Sequence, residues 1–150
     1  MDLSDVQEFS LPTRCSFTVP GVPVPKARAR VTMRGGFARA YTPKKTADYE
    51  SVVASFARTA ARSLITGPVS LEIEFRLPIP MSWSKKRKAA VLRGEEFPVS
   101  KPDLDNLVKS VKDGMNGIVW KDDSQVVVMK VIKVYSENIG CDVYVRQIGG

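Results

Sequence analysis

Leu104, Leu107, Val108, Val111 and Met115 recur at i, i+3, i+4, i+7 and i+11, which places five apolar side chains on one face of an α-helix. A strand cannot use that pattern, because its side chains alternate with a period of two, so the chain has to bury this helix against something. The same helix leaves Asp105, Lys109 and Lys112 on a more polar face. Asp103, directly after Pro102, is placed as the N-cap, and with Asp105 in the first turn both carboxylates stand at the positive end of the helix dipole. A second acidic pair, Asp122 and Asp123, follows a turn made by Gly114, Asn116 and Gly117. A helix of about thirteen residues spans ~20 Å, so Ile118 to Lys121 must carry the chain back if the two pairs are to meet.

The remaining chain offers that helix a sheet. Cys15 to Val19 alternates and reads as a strand ended by Pro20-Gly21. Two prolines make Val22 to Lys26 an extended or edge segment. Ala29–Met33 and Phe37–Tyr41, about Arg34-Gly35-Gly36, predict a hairpin with its arginines on one side. Thr42 as N-cap and Pro43 at the first helical position open a helix over Lys44–Ile65, which ends before Gly67-Pro68. Val69–Leu77 alternates strictly, as a half-buried strand does. Residues 81–99 form a basic insertion in which Ser84–Arg93 reads as a short helix, and Pro102 restricts Lys101 to extended backbone. Gln125–Tyr135 and Ile139–Gln147 supply further strands, and residues 1–14 read as a mobile leader. The sum is a single α+β domain over residues 1–150, a mainly antiparallel or mixed sheet of four to five strands with two principal helices.

The 150 residues include no histidine, which removes Ser-His-Asp triads, histidine-dependent nucleases and Cys/His zinc sites. Cys15 and Cys141 form no C-x-x-C pair and read as small core residues of a reducing compartment. No apolar run approaches the ~18 residues of a membrane span, and the acidic N-terminus lacks the apolar centre of a secretory signal; the expected location is cytoplasmic. The net charge of +7 points to a polyanionic partner. Between Val24 and Lys45 stand seven basic residues (Lys26, Arg28, Arg30, Arg34, Arg39, Lys44 and Lys45) and no acid, while Lys85, Lys86, Arg87, Lys88 and Arg93 make a second cluster. Such clusters are the electrostatic footprint of nucleic-acid binding.

Two readings of the carboxylates follow from spacing alone. In the first, Asp103 caps its helix, Asp105 pairs with Lys109 at i+4, and Asp122-Asp123-Ser124 is a polar turn, each worth ~0.3–1 kcal/mol. In the second, the pairs converge and a divalent cation relieves their repulsion; carboxylate and water ligands suit Mg²⁺ or Mn²⁺. An EF-hand is excluded, since Leu107 occupies its third ligand position.

Lys101-Pro-Asp-Leu-Asp-Asn-Leu-Val-Lys109, followed by Asp113, Asn116-Gly117 and Asp122-Asp-Ser-Gln-Val126, resembles the signature of the RusA family of Holliday junction resolvases. Val19 to Arg30 resembles that family's basic segment, with Ala27 and Ala29 where glycine and proline are expected, and Tyr41 to Thr46 resembles the start of its first helix. The similarity runs over residues 16–146. It implies a homodimeric, Mg²⁺-requiring endonuclease of bacterial or phage origin that nicks four-way DNA junctions in symmetric pairs. Carried over by motif, Asp103, Asp105 and Asp123 are the metal-binding and catalytic carboxylates. Lys109 is the catalytic lysine, and Asp122 is a further candidate ligand. Lys26, Arg28, Arg30 and Lys101 are the expected phosphate contacts. A non-catalytic junction or single-strand binding protein, and a branched-DNA nuclease of broader specificity, are the competing expectations.

Overall fold

The computed structural model describes residues 13–149. Along β4 (Val69–Leu77) the predicted alternation becomes burial. Val69, Leu71, Ile73, Phe75 and Leu77 face the core, while Glu72, Glu74 and Arg76 face outward. This strand lies between β6 (Gly140–Gln147), antiparallel to it, and β5 (Val126–Tyr135), parallel to it. With β1 (Arg14–Pro20) beyond β6, the main sheet has the order β1-β6-β4-β5. A separate two-stranded ribbon joins β2 (Arg30–Arg34) to β3 (Phe37–Tyr41). The expected α+β class with a mixed four-stranded sheet is what the chain forms. The leader expected over residues 1–14 lies outside the described residues except for Thr13 and Arg14, and Arg14 opens β1.

Parallel strands cannot be joined by a tight turn, so the chain between β4 and β5 crosses the sheet. That crossover carries α2 (Lys85–Leu92) and α3 (Leu104–Met115). α3 lies beside α1 (Lys44–Ala60), and both helices cover the same face of the sheet. Leu107, Val108, Val111 and Met115 of the apolar stripe are buried there, each worth roughly 1.5–3 kcal/mol relative to an exposed side chain. The helices approach closely at Gly114, where a Cβ would stand 2.9 Å from the Glu50 carbonyl oxygen and from Val53. Only a residue without a side chain fits that contact.

Beyond one-residue shifts at element ends, the boundaries at Ile65, Thr42 and Gln125 differ from the sequence expectation. α1 ends at Ala60, not Ile65, because Ile65 leaves the helix to donate its N–H to the Val119 carbonyl at 2.8 Å and is fully buried. Pro43 rather than Thr42 occupies the N-cap of α1, and no side chain caps it. Gln125 lies in a 3₁₀ turn, not in β5, because its side-chain amide donates to the Ile65 and Gly67 carbonyls at 2.7 and 3.0 Å. For Ile65 and Gln125 a long-range contact overrides local preference.

Candidate active site

Leu104 begins the apolar stripe but is only half buried, because it floors a cleft instead of entering the core. The cleft holds about 660 Å³. Leu104, Val108, Met129 and Val131 give it an apolar floor, and Asp105, Lys109, Lys112, Asp113 and Asp123 supply its polar groups. Four of those polar residues occupy i, i+4, i+7 and i+8 of α3, one helical face standing directly above the sheet edge.

Asp123 reaches the cleft because the chain reverses tightly after α3. Ile118 and Val119 donate their N–H groups to the Met115 carbonyl, and Gly117, at φ 79°, donates to the Trp120 carbonyl at 2.8 Å. Trp120 is fully buried, and its indole N–H donates to Asp123 Oδ1 at 2.8 Å. β5 then runs back along α3 and contributes Met129 and Val131. Convergence of the two acidic segments is thus achieved for Asp105 and Asp123, which line one cleft.

The other sequence-selected residues have separate environments. Asp103 occupies the N-cap position of α3, but its side chain accepts no capping hydrogen bond, and it does not line the cleft. Its backbone is nevertheless fixed, since Lys133 on β5 donates to the Ser100 and Pro102 carbonyls at 2.9 Å each. Asp105 and Lys109 do not pair; the i,i+4 ion pair among the described residues is Lys44–Asp48. Asp122 behaves as a structural cap. It accepts from the Ser124 N–H and hydroxyl, and Gln125 closes a capping box around it. The Ser124 hydroxyl and backbone N–H hold the Asp122 carboxyl below its ordinary pKa.

Of the expected phosphate contacts, Arg28, Arg30 and Lys101 are exposed. Lys26 is engaged inward, 2.5 Å from Glu50 and 3.0 Å from Asp113. Burial opposes its charge, but the hydrogen bonds to Glu50 and Asp113 outweigh that and raise its pKa. Around it, the Lys26 N–H donates to the Asn106 carbonyl at 2.8 Å, and the Ser110 hydroxyl donates to the Val24 carbonyl at 2.6 Å. The basic segment is thereby tied along α3.

Among the described residues no three carboxylates cluster closely enough to hold a metal ion alone. Two carboxylates on one cleft remain a fitting donor set for Mg²⁺, which keeps several waters and takes one or two carboxylates together with substrate phosphate. Sequence reasoning assigned no role to Trp120, Asp113 or Lys133. The helical spacing from Asp105 to Asp113 carried a signal for Asp113. Nothing local marked Trp120 or Lys133, whose partners are set by the turn and by β5.

An apolar cleft rimmed by carboxylates and lysines, in a basic α+β domain, defines a candidate nuclease centre. The family model described as "Endodeoxyribonuclease RusA" matches residues 20–146, and the chain belongs to this family, whose members act on branched DNA. The "Uncharacterized protein YqaN" of Bacillus subtilis (strain 168) is 42% identical over 135 residues, 88% of this chain and 95% of that protein. No helix among the described residues is long and apolar enough to cross a membrane.

Proposed function

We propose that the protein is a Mg²⁺-dependent, structure-selective endonuclease that resolves four-way DNA junctions by paired symmetric nicks, acting as a homodimer. The observation that carries this reading is the shared cleft of Asp105, Lys109 and Asp123. The purely structural account of the same residues needs an Asp105–Lys109 pair and a capping Asp103 side chain, and neither is formed. Asp105 and Asp123, which share the cleft, would hold the cation, and Asp103, at the N-cap of the helix that carries Asp105, is the further candidate ligand. When bound, Mg²⁺ or Mn²⁺ supplies charge neutralisation at the phosphate and eases deprotonation of a water. A water would form the bond to phosphorus in line as the phosphorus–sugar oxygen bond breaks, its proton passing to bulk solvent. Lys109, which pairs with no acid among the described residues, offsets charge on the leaving oxygen and supplies its proton. Arg28, Arg30 and Lys101 contact the flanking phosphates, while Lys26 positions the basic segment against α3. Two nicks related by a two-fold axis require two sites so related, which a homodimer provides.

The test is a labelled four-way junction incubated with and without Mg²⁺, beside a flap and a linear duplex, with products resolved on a denaturing gel. Metal-dependent paired nicks in the junction support the proposal. Equal cleavage of all three substrates makes the enzyme a broader nuclease, and junction binding without any cleavage makes it a binding protein.

A further inference from the structure

The β2–β3 hairpin has two unlike faces. Its register pairs Arg30 with Tyr41, Thr32 with Arg39, and Arg34 with Phe37. Directly paired residues of an antiparallel ribbon project to the same side, and successive residues alternate. One side therefore interleaves three arginines with two aromatic rings. Gly35 and Gly36, at φ 58° and 80°, form the two-residue turn with both φ positive that holds this register. Phe37 is 71% exposed and Tyr41 46%, and among the described residues no carboxylate pairs with Arg30, Arg34 or Arg39.

The root of the ribbon stands beside the cleft. The Lys26 N–H is bonded to the carbonyl of Asn106, next to Asp105, and the Ala27 N–H donates to the Thr46 hydroxyl at 3.2 Å in the first turn of α1. From there the strands extend freely, each five residues long, roughly 17 Å. Aromatic rings alternating with unpaired guanidinium groups form a surface for single-stranded nucleic acid. The rings stack on any base whose face is open, and the arginines hold the phosphates between. A base inside a duplex has both faces covered by its neighbours and cannot use the rings.

We propose that the Arg30/Arg34/Arg39–Phe37/Tyr41 face binds unpaired nucleotides adjoining the scissile phosphate, so that the enzyme recognises open bases at a branch as well as backbone charge. This rests on the nuclease reading of the neighbouring cleft. The reverse side of the ribbon, with Val31 and Met33, is also exposed, so a second copy of the chain is the rival occupant. Three adjacent cations with no acid among them disfavour that rival for the arginine face.

The test uses the full chain and its Phe37→Ala/Tyr41→Ala variant, without Mg²⁺. It measures affinity for a fluorescent single strand and for a linear duplex of equal length. A fluorescent base analogue at the unpaired position reports stacking directly. The variant is expected to lose about tenfold or more on the single strand, change the duplex affinity by less than about threefold, and abolish the stacking signal; Phe37→Trp/Tyr41→Phe retains all three properties. Equal losses on both ligands, or none, overturn the proposal, as does a variant whose sedimentation shows that a dimer has become a monomer. Junction cleavage by the unmodified protein is measured in parallel with Mg²⁺. Absent cleavage with intact aromatic-dependent binding sinks the nuclease reading alone, whereas cleavage with aromatic-independent binding sinks this one alone.

Discussion

Trp120 and Asp123 are joined by a 2.8 Å hydrogen bond from a fully buried indole to a carboxylate on the cleft. One oxygen of Asp123 is thereby fixed by the core, while the residue lines the cleft. Partners of this kind orient a ligand and typically alter metal affinity or activity by about 10–100-fold. Trp120→Phe is therefore expected to lower junction cleavage by about 10–100-fold and to raise the Mg²⁺ concentration needed for half-maximal rate. It also leaves a small void that costs about 1–3 kcal/mol in stability. A metal titration of cleavage, beside a denaturant melt, checks both; an unchanged metal requirement would separate Trp120 from the site.

Among the described residues Asp105 and Lys109 have no ion-pair partner to lose, so their removal separates activity from stability. Asp105→Asn is expected to abolish cleavage while shifting stability by less than about 1 kcal/mol, the size of a helix-dipole contribution. Lys109→Met is expected to lower the rate by about 10²–10³-fold, as loss of one charge-stabilising donor does. Mg²⁺ should raise the melting temperature of the unmodified protein more than that of Asp105→Asn. Equal shifts would place the cation elsewhere.

Lys26 gives the protein a pH dependence at the alkaline end. Its folded-state pKa stands above its ordinary value, so the stability it contributes is fully present below the unfolded value of about 10.4 and is lost as pH rises through the raised folded value. Lys26→Met leaves Glu50 and Asp113 facing each other and is expected to cost about 1–3 kcal/mol at pH 8. That difference should shrink above about pH 10.4. Thermal melts of both proteins from pH 8 to alkaline conditions would show a constant gap if Lys26 were merely packed.

Tyr49 lies in the core, and among the described residues its hydroxyl has no hydrogen bond of ordinary geometry, only the Cys141 thiol beside it. Burial pushes its pKa up, with the neighbouring Cys141 thiol adding to the shift, and burial likewise pushes Cys141 up to about 12. An unsatisfied buried polar group costs about 1–3 kcal/mol. Tyr49→Phe is accordingly expected to leave stability unchanged or raise it by up to that amount. A chemical-denaturation midpoint that falls would reveal a partner for the hydroxyl.

Much of the fold was legible because it rests on local periodicity. The stripe from Leu107 to Met115 required a buried helix, the alternation of Val69–Leu77 required a half-buried strand, and Gly35-Gly36 required a tight hairpin. The missing histidines and the basic clusters restricted the chemistry, and the acidic motif resembled one family signature. Helix spacing also placed Asp105, Lys109 and Lys112 on one face. Tertiary structure decided where those pieces met. Ile65 left its helix for a backbone bond to Val119, and Lys26 turned inward to Glu50 and Asp113. Asp122 became a cap while Asp123, one residue later, was drawn into the cleft by Trp120. Adjacent aspartates have the same intrinsic chemistry. Their roles separated because a buried indole needs an acceptor and a 3₁₀ turn needs a cap, and both partners are set by how the chain packs after it reverses.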